Sequence, residues 1–343
     1  MSDCEKGHSI VHLHPTLACN LKCKHCYSVS GPGIGKKGLE AEKVIAYLAY
    51  LAKEHGFNVL SISGGEPFLY PDLEKVTEHA IELGYFVQVV SNGTLFGSAR
   101  IKRILSKINS IAISIDGDEQ LHNEMRDSKL AFKKSLDGIN LLNDLGIPFG
   151  IIHTVTKQSW QKIPDLLEFA VLHGAKLLQL HPLELAGRAS GQSQMQLSQS
   201  DLHKLYILVS ALQGTVCEID IHLDLTHKVH LTDETQKLVG SSENVTEIQD
   251  LTRDLIITES GSVLPISYGF SPDFEIFNIL SGEDPKSSIP DFLANKGKTL
   301  QKLIKNARKK VIDTPEIDLF NLTEYLVVQS HVPVSTTGLE LVK

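Results

Sequence analysis

Three of the five cysteines lie within eight residues, in the segment Cys19-Asn-Leu-Lys-Cys23-Lys-His-Cys26. Three thiolates this close together in one loop can hold three corners of an iron–sulfur cubane, a cluster that proteins commonly hold with four cysteines. A set of three leaves one iron open to a substrate or a cofactor. Clustered cysteines in a chain without a secretory signal are more typical of metal binding or catalysis than of disulfide bonds.

A zinc site is the alternative for this segment, with the three cysteines and either His14 or His25 as ligands. Zinc sites built from cysteines usually present two separated pairs, so the spacing favours the cluster. The other two cysteines, Cys4 and Cys217, stand alone in the sequence. We expect them to be a terminal thiol and a small buried apolar side chain.

Four further polar segments come at the ends of predicted strands, where their side chains could meet the cysteine loop. They are Gly64-Gly65-Glu66-Pro67, Ser91-Asn92-Gly93-Thr94, Ser114-Ile115-Asp116-Gly117 and Leu180-His181-Pro182. Glycines let the backbone approach a ligand closely. Arg126 lies twelve residues after Ser114, and its planar guanidinium suits a carboxylate.

The elements that must position these residues are short apolar strands that alternate with amphipathic helices through the first half of the chain. The strands, rich in Val, Ile and Leu, are predicted at 9–14, 59–63, 86–91, 111–116, 148–155 and 177–181. Stretches with apolar residues at three- and four-residue spacing lie between them and predict helices. Six strand–helix units in series imply a parallel sheet with right-handed crossovers. The pattern alone does not decide whether this sheet curls into a barrel.

The alternation stops after residue 181. The segment 190–200, rich in Ser and Gln, is predicted to be a linker or an exposed loop. Residues 201–212 are predicted to be helical. The segment 255–266 alternates around Glu259-Ser260-Gly261 and predicts a hairpin in a smaller C-terminal unit.

Together, the cysteine spacing and the four segments resemble the radical S-adenosylmethionine (radical SAM) superfamily. The resemblance is to its sulfatase-maturing and peptide-modifying branch, of the SPASM and twitch type, and it covers about residues 9–190. It implies an α/β fold with a partial (β/α)6 barrel at 1–190, a linker and helical segment at 191–254, and a smaller α+β extension at 255–343. It also implies one [4Fe-4S] cluster on Cys19, Cys23 and Cys26, with S-adenosylmethionine bound at the open iron.

The resemblance further implies which residues bind S-adenosylmethionine. The Gly-Gly-Glu segment receives the methionine amino group, Ser114 and Arg126 hold the carboxylate, and the backbone at His181 passes close to the adenine. His25 and Tyr27 flank the last cysteine. The full set is His25, Tyr27, Gly64, Gly65, Glu66, Ser91, Asn92, Ser114, Arg126 and His181.

The C-terminal extension departs from the pattern of this branch. Many relatives carry cysteines there that hold auxiliary clusters, but this sequence has Ile266 after Pro265 and no cysteine beyond Cys217. We therefore expect a degenerate extension without metal. Only eighteen residues precede Cys19, so we expect no N-terminal leader-binding domain, and a peptide substrate would need a separate partner to deliver it.

The implied activity is reductive cleavage of S-adenosylmethionine, with an electron from a donor such as flavodoxin or ferredoxin. The 5′-deoxyadenosyl radical then takes hydrogen from a peptide or small-metabolite substrate in a biosynthetic tailoring pathway. A peptide epimerase in which Cys217 returns a hydrogen atom is one alternative. A protein of another class, a metal-binding regulator with a structural zinc or cluster, is the second alternative.

Four histidines are candidates for the substrate pocket. His12 and His14 point to one face of the first strand, and His153 and His181 lie at or near the ends of the fifth and sixth strands. Their ring nitrogens need partners, so we expect some of these rings to line a polar cavity that faces the open iron. Satisfaction by backbone groups or neighbouring strands is the alternative. His153, His181 and Cys217 are thus the candidate catalytic residues.

Charge and hydropathy argue against two other kinds of partner. The net charge is −8, which disfavours a sequence-independent nucleic-acid binder. No apolar run approaches the ~20 residues that span a bilayer, and the polar N-terminus lacks the layout of a secretory signal. We therefore expect a cytoplasmic protein that binds neither nucleic acid nor membrane.

Overall fold

A computed structural model of the chain describes residues 8–35, 37–231, 245–315 and 317–332. Six parallel strands form the centre of one sheet. They are β1 (Ile10–Leu13), β2 (Val59–Ile62), β3 (Phe86–Ser91), β4 (Ser110–Ser114), β5 (Phe149–Val155) and β6 (Leu177–Pro182). Each pairs with the next one in the chain. The predicted strands are confirmed to within about two residues at each end.

The crossovers between these strands carry the helices that cover one face of the sheet. They are α1 (Ala41–His55), α2 (Leu73–Glu82), α3 (Ala99–Leu105), α4 (Glu119–Met125), α5 (Ala131–Asp144) and α6 (Ile163–Leu172). In α1, the apolar residues Val44, Leu48 and Leu51 are fully buried. The spacing that predicts this helix therefore marks the stripe that packs on the sheet.

The two faces of the sheet differ in burial. Side chains such as Leu13, Val89 and Ile113 are fully buried. Their neighbours of opposite parity, among them Gln88 and Ser114, stay half-buried, because successive side chains of a strand point to opposite faces. This second, partly polar face is the interior of the partial barrel, where a ligand has access to the sheet.

The segment 191–254, expected to be a linker and a helix, also extends the sheet at one edge. It contains helix α7 (Gln199–Gln213) and a seventh strand, β7 (Asp220–Leu223), which pairs parallel with β6. A two-residue strand, β8 (Thr226–His227), follows. The four residues of β7 include Asp and His, and only Ile221 is buried, so the strand has no apolar run that a pattern could detect.

The predicted hairpin at 255–266 is present, and it belongs to the same sheet. β9 (Asp254–Ile257) pairs parallel with β1 and antiparallel with β10 (Ser262–Pro265), and β10 pairs with β11 (Phe277–Asn278). The strand order is therefore β11-β10-β9-β1-β2-β3-β4-β5-β6-β7. The extension thus supplies the outer neighbour of the strand that precedes the cysteines.

Three helices of the extension lead from one edge of this sheet towards the other. They are α8 (Pro285–Phe292), α9 (Lys298–Asp313) and α10 (Leu322–Ser330). At the β11 side, the Ser288 hydroxyl of α8 lies 3.4 Å from the Tyr47 hydroxyl of α1. Between α9 and α10, β12 (Leu319–Phe320) pairs with β8 beyond the β7 edge. None of the helices in the described ranges has the length and apolar character that crossing a bilayer requires.

Candidate functional site

The three clustered cysteines lie in the loop that follows β1, at the carboxyl edge of the parallel strands. Cys23 is buried, Cys19 and Cys26 are half-buried, and all three are free thiols. They pack together around Leu21. The loop closes on itself where the Cys19 N–H donates to the carbonyl of Gly31 (3.3 Å). The structure thus brings together the thiols that the spacing predicts as ligands.

Burial favours the protonated form of these thiols. Loss of solvation raises the pKa of Cys19 to about 12. It also raises the pKa of Cys23, although the guanidinium of Arg126 opposes the rise. Metal ions bind the thiolate, so ligation releases protons and the bound cation must offset the cost of burying the charge. Buried thiols of this kind suit a cationic cluster better than free thiolate chemistry.

The segment that follows β6 holds the cysteine loop through its backbone. The N–H of Arg188 donates to the carbonyl of Cys26 (3.0 Å), and the Arg188 Nε donates to the carbonyl of Cys23 (2.7 Å). Gly187 lies so close that a β-carbon on it would be 2.2 Å from the carbonyl oxygen of Tyr27. Sequence reasoning assigned no role to this Gly-Arg pair, although its place after the sixth strand was a usable signal.

Arg126 lies beside the cysteine loop, with its guanidinium engaged by protein groups. Its Nε donates to Asp116 Oδ2 (2.6 Å), and one terminal nitrogen lies 3.7 Å from the sulfur of Cys23. Burial alone would raise the pKa of Asp116, but Arg126 and neighbouring imidazoles hold it well below its usual range. Ser114, the expected partner of Arg126, lies at the end of β4 on the half-buried face. The ion pair fixes Arg126 between this strand end and the cysteine.

Glu66 joins the ends of β2 and β3 to the cysteine loop. Its carboxylate accepts from the hydroxyl of Ser91 (2.8 Å) and from the backbone N–H of Asn92 (3.0 Å). Burial raises its pKa to about 7 despite these donors. The side chain of Asn92 donates to Asn20 (3.0 Å) and lies 4.0 Å from the sulfur of Cys19. Three residues that the resemblance singled out therefore form one hydrogen-bonded network that ends at a cysteine.

The two glycines before Glu66 bring the end of β2 against the same loop. Gly64 has a φ of 101°, a conformation that side chains rarely adopt. A β-carbon on Gly65 would lie 2.3 Å from the carbonyl oxygen of Ala18, and the Gly65 N–H donates to the carbonyl of Thr16 (2.9 Å). Glycine is required here because the two backbones are in direct contact.

An aromatic group of His14, Tyr27 and Tyr268 lies next to the last cysteine. His14 stacks on Tyr268 with ring centroids 4.8 Å apart, and the rings of Tyr27 and Tyr268 meet edge to face at 5.3 Å. The Tyr268 hydroxyl donates to Glu259 (3.3 Å). Tyr268 and Glu259 belong to the extension; Glu259 lies in the turn of the predicted hairpin, but no motif marked either residue for the site. The extension thus contributes side chains beside the cysteine loop.

His25 lies in a buried polar pocket with Asp116 and His122. Its Nε2 lies 3.8 Å from Asp116 Oδ2, and burial lowers its pKa to about 4. Three buried atoms of this pocket, His25 Nδ1, Asp116 Oδ1 and His122 Nε2, have no hydrogen-bond partner within the described part of the chain. Buried polar atoms are rarely left in this way unless a ligand or water satisfies them. The pocket therefore fits a polar ligand beside the cysteines.

His153 is one of the rings whose nitrogens are satisfied by protein groups, the alternative that the sequence left open. The ring is buried on β5, where Nδ1 bonds the carbonyl of Ile115 (3.0 Å) and Nε2 bonds the hydroxyl of Ser159 (2.9 Å). Both nitrogens therefore have protein partners, and His153 links the end of β4 to the turn after β5.

His181 and His12, by contrast, are on the half-buried interior face. His181 forms an ion pair through Nδ1 with Asp224, which follows β7. This partner raises the pKa of His181, although burial opposes the rise. Gln179 also donates to Asp224 (2.5 Å), and His12 Nε2 lies 3.6 Å from Asp254 of β9. The interior is therefore polar at both of its edges.

Cys217 lies away from this site. It is exposed, which corrects the expectation of a buried apolar side chain, and it sits in the loop before β7. Because β7 runs parallel to β6, that loop lies at the amino edge of the sheet, opposite the cysteine loop. This placement contradicts a role for Cys217 as hydrogen donor at the site. Cys4 lies outside the described residues.

The three cysteines and the nearby histidines are candidate ligands of either a zinc ion or a [4Fe-4S] cluster. In the ranges that the structure describes, no three His, Cys, Asp or Glu side chains, the three cysteines of the loop included, are grouped closely enough to hold a single metal ion. His14 and His25, which a zinc site would use, are instead engaged with Tyr268 and Asp116. A [4Fe-4S] cluster takes one cysteine at each of three irons. The three-thiol loop, with unpartnered polar atoms beside it, fits that group.

The part of the chain that carries the cysteine loop is similar in sequence to known proteins. The model of the radical SAM superfamily matches residues 13–170. The chain is 28% identical over 222 residues to the Fe-coproporphyrin III synthase of Methanosarcina barkeri, over 64% of this chain and 52% of that protein. It is 31% identical over 180 residues to the sporulation killing factor maturation protein SkfB of Bacillus subtilis, over 52% of this chain and 43% of SkfB. The chain spans about half the length of these curated relatives.

The fold also has a counterpart among solved structures. The structure of anSMEcpe with bound AdoMet and the Cp18Cys peptide superposes with a TM-score of 0.61 at 19% identity, over 94% of this chain and 94% of that chain. At this identity the likeness shows the fold alone, and it confirms the expected partial (β/α) barrel. Over residues 13–170 the sequence is thus similar to the radical SAM superfamily, and the three cysteines after β1 lie within that stretch.

Proposed function

We propose that this protein is an enzyme that cleaves S-adenosylmethionine reductively and takes hydrogen from a substrate with the 5′-deoxyadenosyl radical. Cys19, Cys23 and Cys26 would hold one [4Fe-4S] cluster. The observation that carries the proposal is the cysteine loop after β1, which contacts the ends of three other strands. The backbone N–H of Glu66 reaches the loop at Ala18 from the end of β2, and the side chain of Asn92 reaches it at Asn20 from the end of β3. The segment after β6 reaches the loop through Arg188.

Groups around the loop would bind S-adenosylmethionine. The backbone at Gly64-Gly65-Glu66 lies against the loop and suits the methionine amino group. Ser114 faces the interior, and among the described residues the hydrogen-bond partners of the Arg126 guanidinium take its Nε and one terminal nitrogen. The remaining N–H groups of Arg126 are donors for the carboxylate. Tyr27 and the backbone near His181 would border the adenosine.

When bound, the cluster would pass one electron from a donor such as flavodoxin or ferredoxin to S-adenosylmethionine, which then gives methionine and the radical. The chain itself supplies orientation. The covered face of the sheet is dry, because residues such as Leu13 and Ile113 are fully buried. The interior face keeps polar side chains that can orient a substrate over the cysteine loop.

For the substrate we propose a peptide or a small metabolite that is modified in a biosynthetic pathway. The two relatives above are a maturation protein and a coproporphyrin-related synthase, and the solved counterpart holds a peptide. His181, Gln179 and Asp224 at the end of β6 and after β7 form a polar wall. This wall suits a substrate with hydrogen-bonding groups.

The proposal is tested with anaerobically reconstituted protein, a chemical reductant and S-adenosylmethionine. Liquid chromatography should find 5′-deoxyadenosine and methionine in equal amounts, and the protein should hold about four irons. The triple variant Cys19→Ala, Cys23→Ala, Cys26→Ala should bind no cluster and form no 5′-deoxyadenosine. Cys217→Ala is the matched control, since that thiol lies at the other edge of the sheet, and it should match the wild type.

Three outcomes would count against parts of this proposal. Zinc without iron and sulfide in protein prepared anaerobically would support the metal-binding regulator. Full retention of iron in the triple variant would reject the three cysteines as ligands. Eight or more irons with two paramagnetic signals would show that the extension holds a second cluster.

A further inference from the structure

Two arginines from different segments contact Cys23, and they contact different atoms of it. A terminal guanidinium nitrogen of Arg126 lies 3.7 Å from the sulfur. The Nε of Arg188 donates to the backbone carbonyl (2.7 Å). One arginine therefore acts on the atom that binds iron, and the other acts on the shape of the loop.

The three sulfurs of the loop have different environments. Within the described residues, the sulfur of Cys19 is near two neutral donors, the backbone N–H of Leu21 (3.5 Å) and the amide of Asn92 (4.0 Å). The sulfur of Cys26 is 3.4 Å from the hydroxyl of Ser28. In this set only Cys23 has a charged donor on its sulfur, and a charged donor gives a stronger hydrogen bond.

Arg126 is held in this position by its own partner. It is 8% exposed and Asp116 is 1% exposed, and the 2.6 Å bond between them uses the Nε. Because both side chains are buried, the guanidinium has little freedom to turn away from the sulfur. The arrangement places one fixed positive charge beside one ligand of the cluster.

We propose that Arg126, oriented by Asp116, donates to the thiolate of Cys23 and raises the reduction potential of the cluster. Arg188, in contrast, is a positioning residue that only holds the loop. The inference rests on the proposed function, because it requires a cluster on these cysteines. A hydrogen bond to a ligating sulfur stabilises the more negative, reduced cluster. Arg126 would thus favour entry of the electron at this site.

This role differs from the one that the family resemblance implies for Arg126. A residue that only holds the carboxylate of S-adenosylmethionine has no effect on the cluster while that cofactor is absent. A residue that bonds the sulfur acts whether or not the cofactor is bound. The reduction potential of the cluster, measured without S-adenosylmethionine, therefore distinguishes the two roles of Arg126.

The experiment is a redox titration of reconstituted protein, followed by paramagnetic resonance, without S-adenosylmethionine. The variants are Arg126→Gln, Arg126→Lys and Arg188→Gln. At the wild-type midpoint, Arg126→Gln should lower the ratio of reduced to oxidised cluster about tenfold, a shift of about 59 mV for one electron. Arg126→Lys keeps a charged donor and should lie closer to the wild type. Arg188→Gln should lose iron faster to a chelator while its remaining cluster keeps the wild-type potential.

The potentials of the variants decide whether Arg126 acts on the cluster through the sulfur of Cys23. A wild-type potential in Arg126→Gln overturns the inference, and so does an equal shift in Arg188→Gln, which would indicate general loosening of the loop. Should Arg126→Gln bind no cluster, Asp116→Asn takes its place. This variant keeps Arg126 but removes the carboxylate that orients it. Loss of the carboxylate charge alone would raise the potential, so a potential below that of the wild type is the expected sign that the sulfur contact is lost, and an unchanged or higher potential overturns the inference. Absence of any cluster in the wild type would instead reject the proposed function.

Discussion

His14 lies among aromatic rings beside the cysteine loop, and burial determines the form of its imidazole. Only 4% of the residue is exposed. Its Nε2 lies 3.4 Å from the Tyr27 hydroxyl, and its Nδ1 has no partner among the residues described. Loss of solvation lowers the pKa of His14 to about 3, so the folded protein keeps this ring neutral where an unfolded chain would charge it.

This difference predicts an acid-sensitive contribution to stability. The stabilisation from His14 is complete above pH 6.5, the ordinary pKa, and is lost as the pH falls towards 3. Through this group the free energy of unfolding should fall by about 1.4 kcal/mol per pH unit. His14→Phe keeps a ring against Tyr268 and should make urea unfolding less dependent on pH between about 6.5 and 4.5. His222→Phe, on the exposed side of β7, is the control for loss of a histidine away from the cysteine loop and should keep the wild-type slope. Identical slopes in all three proteins would contradict the prediction.

At the scale of single residues, the sequence allowed prediction where residue type and spacing were both specific. The cysteine triplet and the residues Glu66, Ser91 and Asn92 are examples, because each motif follows a strand and the structure brings them together. For His153 the sequence left two roles open, a cavity lining and satisfaction by protein groups. Its neighbours Ile151 and Val155 are fully buried, and their parity on β5 was the available sign that this ring is buried too.

At the scale of elements, a short 3₁₀ helix (Gly187–Gly191) packs against the cysteine loop. Gly187 begins it with a φ of 55°, and the nearest atoms to an added β-carbon would be backbone carbonyls of the loop. Backbone atoms cannot rotate away as a flexible side chain can. Contact between the helix and the loop therefore depends on the absence of a side chain at this position.

Replacement of this glycine should loosen the cysteine loop. Gly187→Ala places a carbon 2.2 Å from the Tyr27 carbonyl oxygen, and relief of that overlap should cost about 2 kcal/mol or more in unfolding free energy. Loss of iron to a chelator should also be faster. Gly191→Ala is the matched control at the other end of the same helix, because no atom lies within 4 Å of its added carbon. Equal iron loss from both variants would show that the close contact is unimportant.

Strand prediction succeeded where the strands were apolar and followed by amphipathic helices. It failed for β7, whose sequence is Asp-Ile-His-Leu, because a short strand at the edge of a sheet needs few apolar residues. For β9 the local pattern was read correctly as one arm of a hairpin. Its parallel pairing with β1 depends on the three-dimensional path of the whole chain, which local periodicity does not contain.

At the scale of the whole molecule, the barrel and the extension share one sheet and one core. β1 is covered on one side by β2 and on the other by β9. Asn321, just before α10, donates to Glu184 after β6 (3.2 Å). Elements on the two sides of the boundary predicted at residue 190 therefore pack against each other in one structure.

A chain that ends at residue 190 should consequently fail to fold cooperatively. It would lose the fully buried residues Leu255 and Ile257 of β9 and would leave the backbone of β1 unpaired on one side. Thermal unfolding followed by circular dichroism should show no sharp transition. The full protein is the control and should show a sharp transition. A sharp transition in the shorter chain would establish 1–190 as an independent domain.

The pairing of β9 with β1 also has a consequence for how the protein is made. Roughly 240 residues separate Ile10 from its partner Asp254. At about 5–20 residues per second, a ribosome needs roughly 12–50 s to synthesise that interval. For most of this time the strand that leads into the cysteine loop lacks its β9 neighbour, while its three cysteines have already been synthesised. We therefore expect iron and sulfide to be delivered to the nearly finished chain rather than to the growing one.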